Sequence, residues 1–222
     1  MKKSTTTLFL IFLSTLLSAQ SLIPVKYGIK AGINISNIIS TPIEEVKNTS
    51  SSFKIGPTGG FYIQIALNDK WYINPEILYS QKGSTLNYEY TNDKDTSRTT
   101  YSVENNITVS YVELNPTISY KTNSKVSLNF GPSINYLISV NDKSIEDPEN
   151  NLLDNSKFDE ESLDIGLNIG LSYNISEKFL INTNLCTGFM KIGTVQRPID
   201  SSEDPAFSIK NYNFTISSTY LF

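Results

Sequence analysis

The chain has 222 residues, enough for one domain with a sizeable core or one closed barrel. A formal charge of -4, from 18 Lys/Arg against 22 Asp/Glu, removes the basic footprint of a nucleic-acid binder. No His and a single Cys largely exclude zinc sites, Ser-His-Asp triads and disulfide frameworks, while 13 Tyr and 11 Phe favour strands.

Residues 1–20 stand apart from the rest. Lys2 and Lys3 give a positive start, Leu8 to Leu17 an apolar run, and Ser18-Ala19-Gln20 a small-residue exit. That order predicts a cleaved signal peptide, because ten apolar residues are too few to cross hydrocarbon as a helix. The expected domain is 21–222. After the signal peptide there is no apolar run long enough for a helical span, so the exported chain is either soluble or a barrel.

Eight segments then alternate apolar and polar residues with the period of a strand. The first covers about Val25 to Ile38, with Tyr27, Ile29, Ala31, Ile33 and Ile35 against Gly28, Lys30, Gly32, Asn34 and Ser36. The second, Phe53 to Leu67, leads through Asn68-Asp69-Lys70 into a third that begins at Trp71. The fourth spans about Ile107 to Lys121, and Thr122-Asn123-Ser124 turns it into a fifth that runs from Val126 to Ile138. The sixth has the clearest pattern: Leu163, Ile165, Leu167, Ile169, Leu171, Tyr173 and Ile175 alternate with Asp164, Gly166, Asn168, Gly170, Ser172 and Asn174. Ser176-Glu177-Lys178 leads to the seventh, from Phe179, and the eighth ends at Phe222.

Three short turns thus interleave with four long polar segments, about 39–52, 84–106, 141–161 and 193–209. That is the layout of an eight-stranded antiparallel up-and-down transmembrane β-barrel, with its short turns in the periplasm. The same alternation would suit a soluble periplasmic barrel carrying an apolar ligand, with the greasy face inward. Two features favour the membrane. Glycines (Gly28, Gly32, Gly131, Gly166, Gly170, Gly188) crowd the polar face, as a narrow lumen requires. Aromatics, among them Tyr27, Trp71, Tyr79, Tyr120, Tyr173, Phe179, Tyr212 and Phe222, lie toward strand ends on the apolar face, as an interfacial girdle requires. Pro75, Pro116 and Pro132 fall within strands, each removing a ladder donor, and local bulges are expected to absorb them.

The segments WYINPEILYSQKG (71–83), YVELNPTISYK (111–121), LNFGPSINYLIS (128–139), LDIGLNIGLSYNI (163–175) and the YNFTISSTYLF terminus resemble the PorT-like outer-membrane β-barrel family of Bacteroidota-type bacteria. The likeness covers about 25–222 and rests on strand patterns, so it implies architecture first. It also implies a Gram-negative outer-membrane location and a place near a secretion system. Asn115 interrupts the family's Glu-apolar-Pro step, and Phe179–Met190 lacks its basic-aromatic pair.

Lys30, Glu76, Glu113 and Asp164 share the polar face, where opposite charges can pair as a structural lumen network. Cys186 has no His to activate it and reads as a packed small residue. The long segments hold 17 of the 22 acidic residues and carry about -11. Runs such as Glu146-Asp147-Pro148-Glu149 and Asp159-Glu160-Glu161 match no EF-hand spacing and read as solvated charge, so no metal and no cofactor are expected. The expected protein is a non-enzymatic outer-membrane barrel. Its partners are outer-membrane lipid and lipopolysaccharide, and a protein or other ligand held by the external loops; nucleic acid is not among them.

Overall fold

The computed structural model describes residues 24–42, 47–91, 100–145, 158–195 and 207–222. The expected signal peptide, 1–20, lies outside them. Ten strands follow one another: β1 (Val25–Pro42), β2 (Lys47–Ala66), β3 (Trp71–Thr91), β4 (Thr100–Lys121), β5 (Val126–Ile145), β6 (Phe158–Glu160), β7 (Leu163–Asn174), β8 (Phe179–Gly188), β9 (Gly193–Val195) and β10 (Phe207–Leu221). The three-residue strands β6 and β9 pair with each other, and β9 with β10, extending β7 and β8 past short interruptions. Eight antiparallel staves therefore form the wall. β10 pairs back onto β1 from Gly28↔Leu221 to Pro42↔Phe207, closing the staves into a barrel.

The three short turns use one device. Asn68 Oδ1 accepts from the N–H groups of Lys70 and Trp71, and Asn123 Oδ1 from those of Lys125 and Val126. Ser176 Oγ accepts from Lys178 and Phe179 in the third turn. A short side chain that caps its own backbone makes each reversal tight and fixes the register of the strands it joins.

Apolar residues point outward. Along β7, Leu163, Ile165, Leu167, Ile169, Leu171 and Tyr173 are exposed, while Asp164, Gly166, Asn168 and Ser172 are buried. The other staves obey the same rule, and Trp71 and Tyr120 stack at 4.8 Å on the outer face near the short-turn end. A greasy exterior around a polar interior is the inverse of a soluble carrier, so the apolar-ligand alternative fails on orientation.

Two expectations need correction. The prolines are not at bulges: the register shifts fall between Lys47 and Ser50, between Phe53 and Thr58, and between Ser110 and Tyr111. Instead Pro75 lies opposite Pro116, and the pairs Leu114↔Ile134 and Ile118↔Phe130 put Pro116 across from Pro132. The β3–β4 ladder runs unbroken through this row, whereas the β2–β3 and β4–β5 ladders skip it. In an antiparallel pair a residue's N–H points to one neighbour only. The missing donors of Pro75 and Pro116 thus face away from each other, toward β2 and β5.

The strands also run further than their alternation suggests, β3 to Thr91, β4 from Thr100 and β5 to Ile145. Beyond the greasy belt the pattern inverts. Leu86, Ile107, Val109, Tyr111, Leu137 and Ile192 turn inward and form an apolar cluster inside the barrel. Of the expected long segments, 158–160 forms β6, so Asp159 and Glu160 lie in a strand, while 43–46, 92–99, 146–157 and 196–206, with Glu146–Glu149 among them, lie outside the described residues.

Candidate functional site

The polar face of the staves converges on the lumen, where Lys30, Glu76, Glu113 and Asp164 are all buried. Toward the short-turn end, hydrogen bonds run from stave to stave. Asn74 Nδ2 donates to Ser119 Oγ, and Ser119 Oγ donates to Asn129 Oδ1 at 2.5 Å. Asn129 Nδ2 reaches Ser172 Oγ at 2.6 Å, Ser172 Oγ reaches Asn182 Oδ1 at 2.7 Å, and Asn182 Nδ2 reaches Thr219 Oγ1 at 2.9 Å. This girdle crosses β3, β4, β5, β7, β8 and β10. Amide and hydroxyl groups suit such a chain because each both donates and accepts. Tyr62, Leu180 and Leu221 form a second apolar cluster inside the barrel, near the short-turn end.

Lys30 and Glu76 are both buried and pair at 2.8 Å. They stand on β1 and β3, which are not ladder neighbours, and the link passes over β2 at Gly60, the residue opposite Lys30. Gly60 cannot be enlarged, because a Cβ there would lie 2.1 Å from the Ile77 carbonyl oxygen.

Glu113 has a partner that the charged residues singled out from the sequence did not include: Lys82 Nζ, at 2.6 Å. Lys82 lies two residues past Ser80 on the inward parity of β3, so extending the alternation by one step would have placed it in the lumen, though not against Glu113. Its ammonium also sits 5.4 Å from the centre of the Tyr111 ring, a cation–π contact. Asn115 Nδ2 donates to the other Glu113 oxygen at 3.4 Å.

Asp164 is buried but has no cation within ion-pair distance among the described residues. Asn211 Nδ2 serves it instead, donating to Asp164 Oδ2 at 3.1 Å and to the Tyr111 hydroxyl at 2.9 Å. Room for the carboxylate comes from Gly188, where a Cβ would lie 2.6 Å from Asp164 Oδ1. The four residues thus share one lumen but form separate arrangements: a Lys30–Glu76 pair, a Lys82–Glu113 pair, and Asp164 on an asparagine–tyrosine relay.

Between them lies a cavity of about 10 Å³ available to water centres, lined in part by Lys30, Glu76, Glu113, Asn115 and Cys186. That holds about one water molecule. Cys186 is buried there, in a chain with no His. Among the described residues no three His, Cys, Asp or Glu side chains converge as metal ligands would. The arrangement packs and cross-links the wall.

The family model for the outer membrane protein beta-barrel domain matches residues 18–193. In fold the chain is similar to Neisserial surface protein A, at 13% identity over 90% of this chain and 99% of that one, with a TM-score of 0.46. It is similar to OprG from Pseudomonas aeruginosa at 14% identity over 89% and 95%, with a TM-score of 0.47. It is similar also to the attachment invasion locus protein Ail of Yersinia pestis at 13% over 89% and 98%, with a TM-score of 0.44. No curated protein matches the sequence. With well over half of its length matched, the chain belongs to the outer membrane protein beta-barrel domain family, and its place is the outer membrane.

Proposed function

We propose that the protein is a non-enzymatic outer-membrane barrel that acts through what its external segments hold, while its wall serves as the anchor. The supporting observation is the packing of the lumen among the described residues: paired charges, an asparagine–serine girdle and two apolar clusters, with a cavity between the charges that holds about one water molecule. Packing of the lumen argues against transport through the wall, and the chain has no His to act as the usual general base. The segments 39–52, 84–106, 141–161 and 193–209 hold 17 of the 22 acidic residues, so their partners are cation-bearing: a basic protein surface, or lipopolysaccharide bridged by divalent ions. The resemblance to PorT-like barrels adds a place beside a secretion apparatus to this reading.

The test is photo-crosslinking in intact cells from positions 95 and 149, with position 168 in the lumen as the control. A discrete adduct from an external position and none from the lumen is the expected result. An export-machinery component in that adduct supports the secretion role, whereas lipopolysaccharide alone removes it. No adduct from either external position would overturn the reading.

A further inference from the structure

The short-turn end carries a charge pattern that the anchor does not require. Among the described residues, Lys26, Lys70, Lys121, Lys125 and Lys178 lie at this mouth, against the acidic side chains of Asp69 and Glu177. Among the described residues none of the five lysines has an ion-pair partner. The backbone fixes their level. The Lys121 N–H donates to the Lys70 carbonyl, that of Asn174 to Lys125, and that of Leu221 to Lys178. Lys26 lies opposite Gln64 at the start of β1.

Four of the five are sequence neighbours of an outward aromatic: Lys26 of Tyr27, Lys70 of Trp71, Lys121 of Tyr120 and Lys178 of Phe179. Lys125 precedes Val126, which pairs with Tyr173. The backbone that bears each lysine therefore lies level with a ring that marks the edge of the hydrocarbon. That is the height at which phosphate groups lie. Lys26 and Lys121, on strands, take the opposite face from Tyr27 and Tyr120.

We propose that this lysine rim binds the anionic phospholipid headgroups of the periplasmic leaflet and selects them over zwitterionic ones. Charge complementarity gives the sign, and the aromatic belt gives the depth. Position makes lipid the favoured occupant over an acidic polypeptide, because headgroups surround the mouth at all times whereas a soluble partner must first be encountered.

The test uses the full barrel refolded into phosphatidylcholine vesicles at low salt, with spin-labelled phosphatidylglycerol or phosphatidylcholine as the probe. The fraction of probe immobilised at the protein gives the relative affinity. Wild type is expected to prefer phosphatidylglycerol several-fold, with the preference falling in 0.5 M salt as the Debye length shrinks to a few ångströms. The variant Lys70→Gln, Lys121→Gln, Lys178→Gln is expected to lose at least about fivefold of that preference. The matching arginine variant keeps it. Heat-modifiable migration establishes that both variants fold. Equal affinity for the two lipids in wild type, or an undiminished preference in the glutamine variant, overturns the proposal. Wild type that ignores phosphatidylglycerol but binds soluble polyglutamate overturns it in favour of an acidic polypeptide.

Discussion

Glu113 and Lys82 sit 2.6 Å apart with both side chains almost wholly out of solvent, so each is the main compensation for the other's burial. Removing one partner should cost far more than removing both. Glu113→Gln strands an ammonium whose remaining help is the Tyr111 ring, and should destabilise the barrel by about 3–5 kcal/mol. The double variant Lys82→Met, Glu113→Leu should recover most of that loss, because the cost lies in the unpaired charge. Urea unfolding in vesicles, followed by the single Trp, measures both; equal losses would refute the account. The same pair shows how far sequence reaches at this scale. Alternation put Glu113 in the lumen, but a partner across a ladder is set by register, which alternation does not encode. Asp164 teaches the same lesson, since the Asn211 that serves it comes from a strand 47 residues away.

At the scale of the strand, the membrane part was legible because lipid and lumen make opposite demands on successive residues. Leu163 to Tyr173 satisfies both, and its exposure follows its sequence residue by residue. The parts beyond the belt were not legible. There Leu86, in a segment expected as a loop, turns inward beside Ile107, Val109 and Leu137, so a search for an outward greasy face stops short of the end of β3. The proline row was half legible: each lost donor could be counted, but their alignment could not. Opposition of Pro75 and Pro116 leaves the β3–β4 ladder whole, so no bulge is needed there. Outward parity also predicts a gradient of cost along β7. Ile169→Arg, mid-stretch, should destabilise by about 2–4 kcal/mol, whereas Ile175→Arg, beside the Ser176 turn, should cost about 0–1 kcal/mol. Equal costs in a vesicle unfolding experiment would mean that β7 does not cross the bilayer as described.

For the molecule as a whole, the question is whether closure of the wall also closes the path along its axis. Eight staves enclose a space that side chains can fill, and here they fill it in layers: an apolar cluster inside each end, with paired charges and the Asn74-to-Thr219 girdle between. An ion moving along the axis would have to break buried salt bridges or part the girdle, both of which exchange satisfied groups for unsatisfied ones in a poorly hydrated space. Purified protein in planar bilayers should therefore show no stable current of porin size. The layers are redundant, which gives the prediction a sharper form. Truncating only the short-turn cluster, as Tyr62→Ala with Leu180→Ala, should leave the bilayer silent, because the girdle and the ion pairs still span the lumen. Steps of porin size from wild type would mean that the interior is hydrated and that the network rearranges in the membrane. Steps from the truncated variant alone would mean that the apolar cluster is the seal and the polar layers only brace the wall.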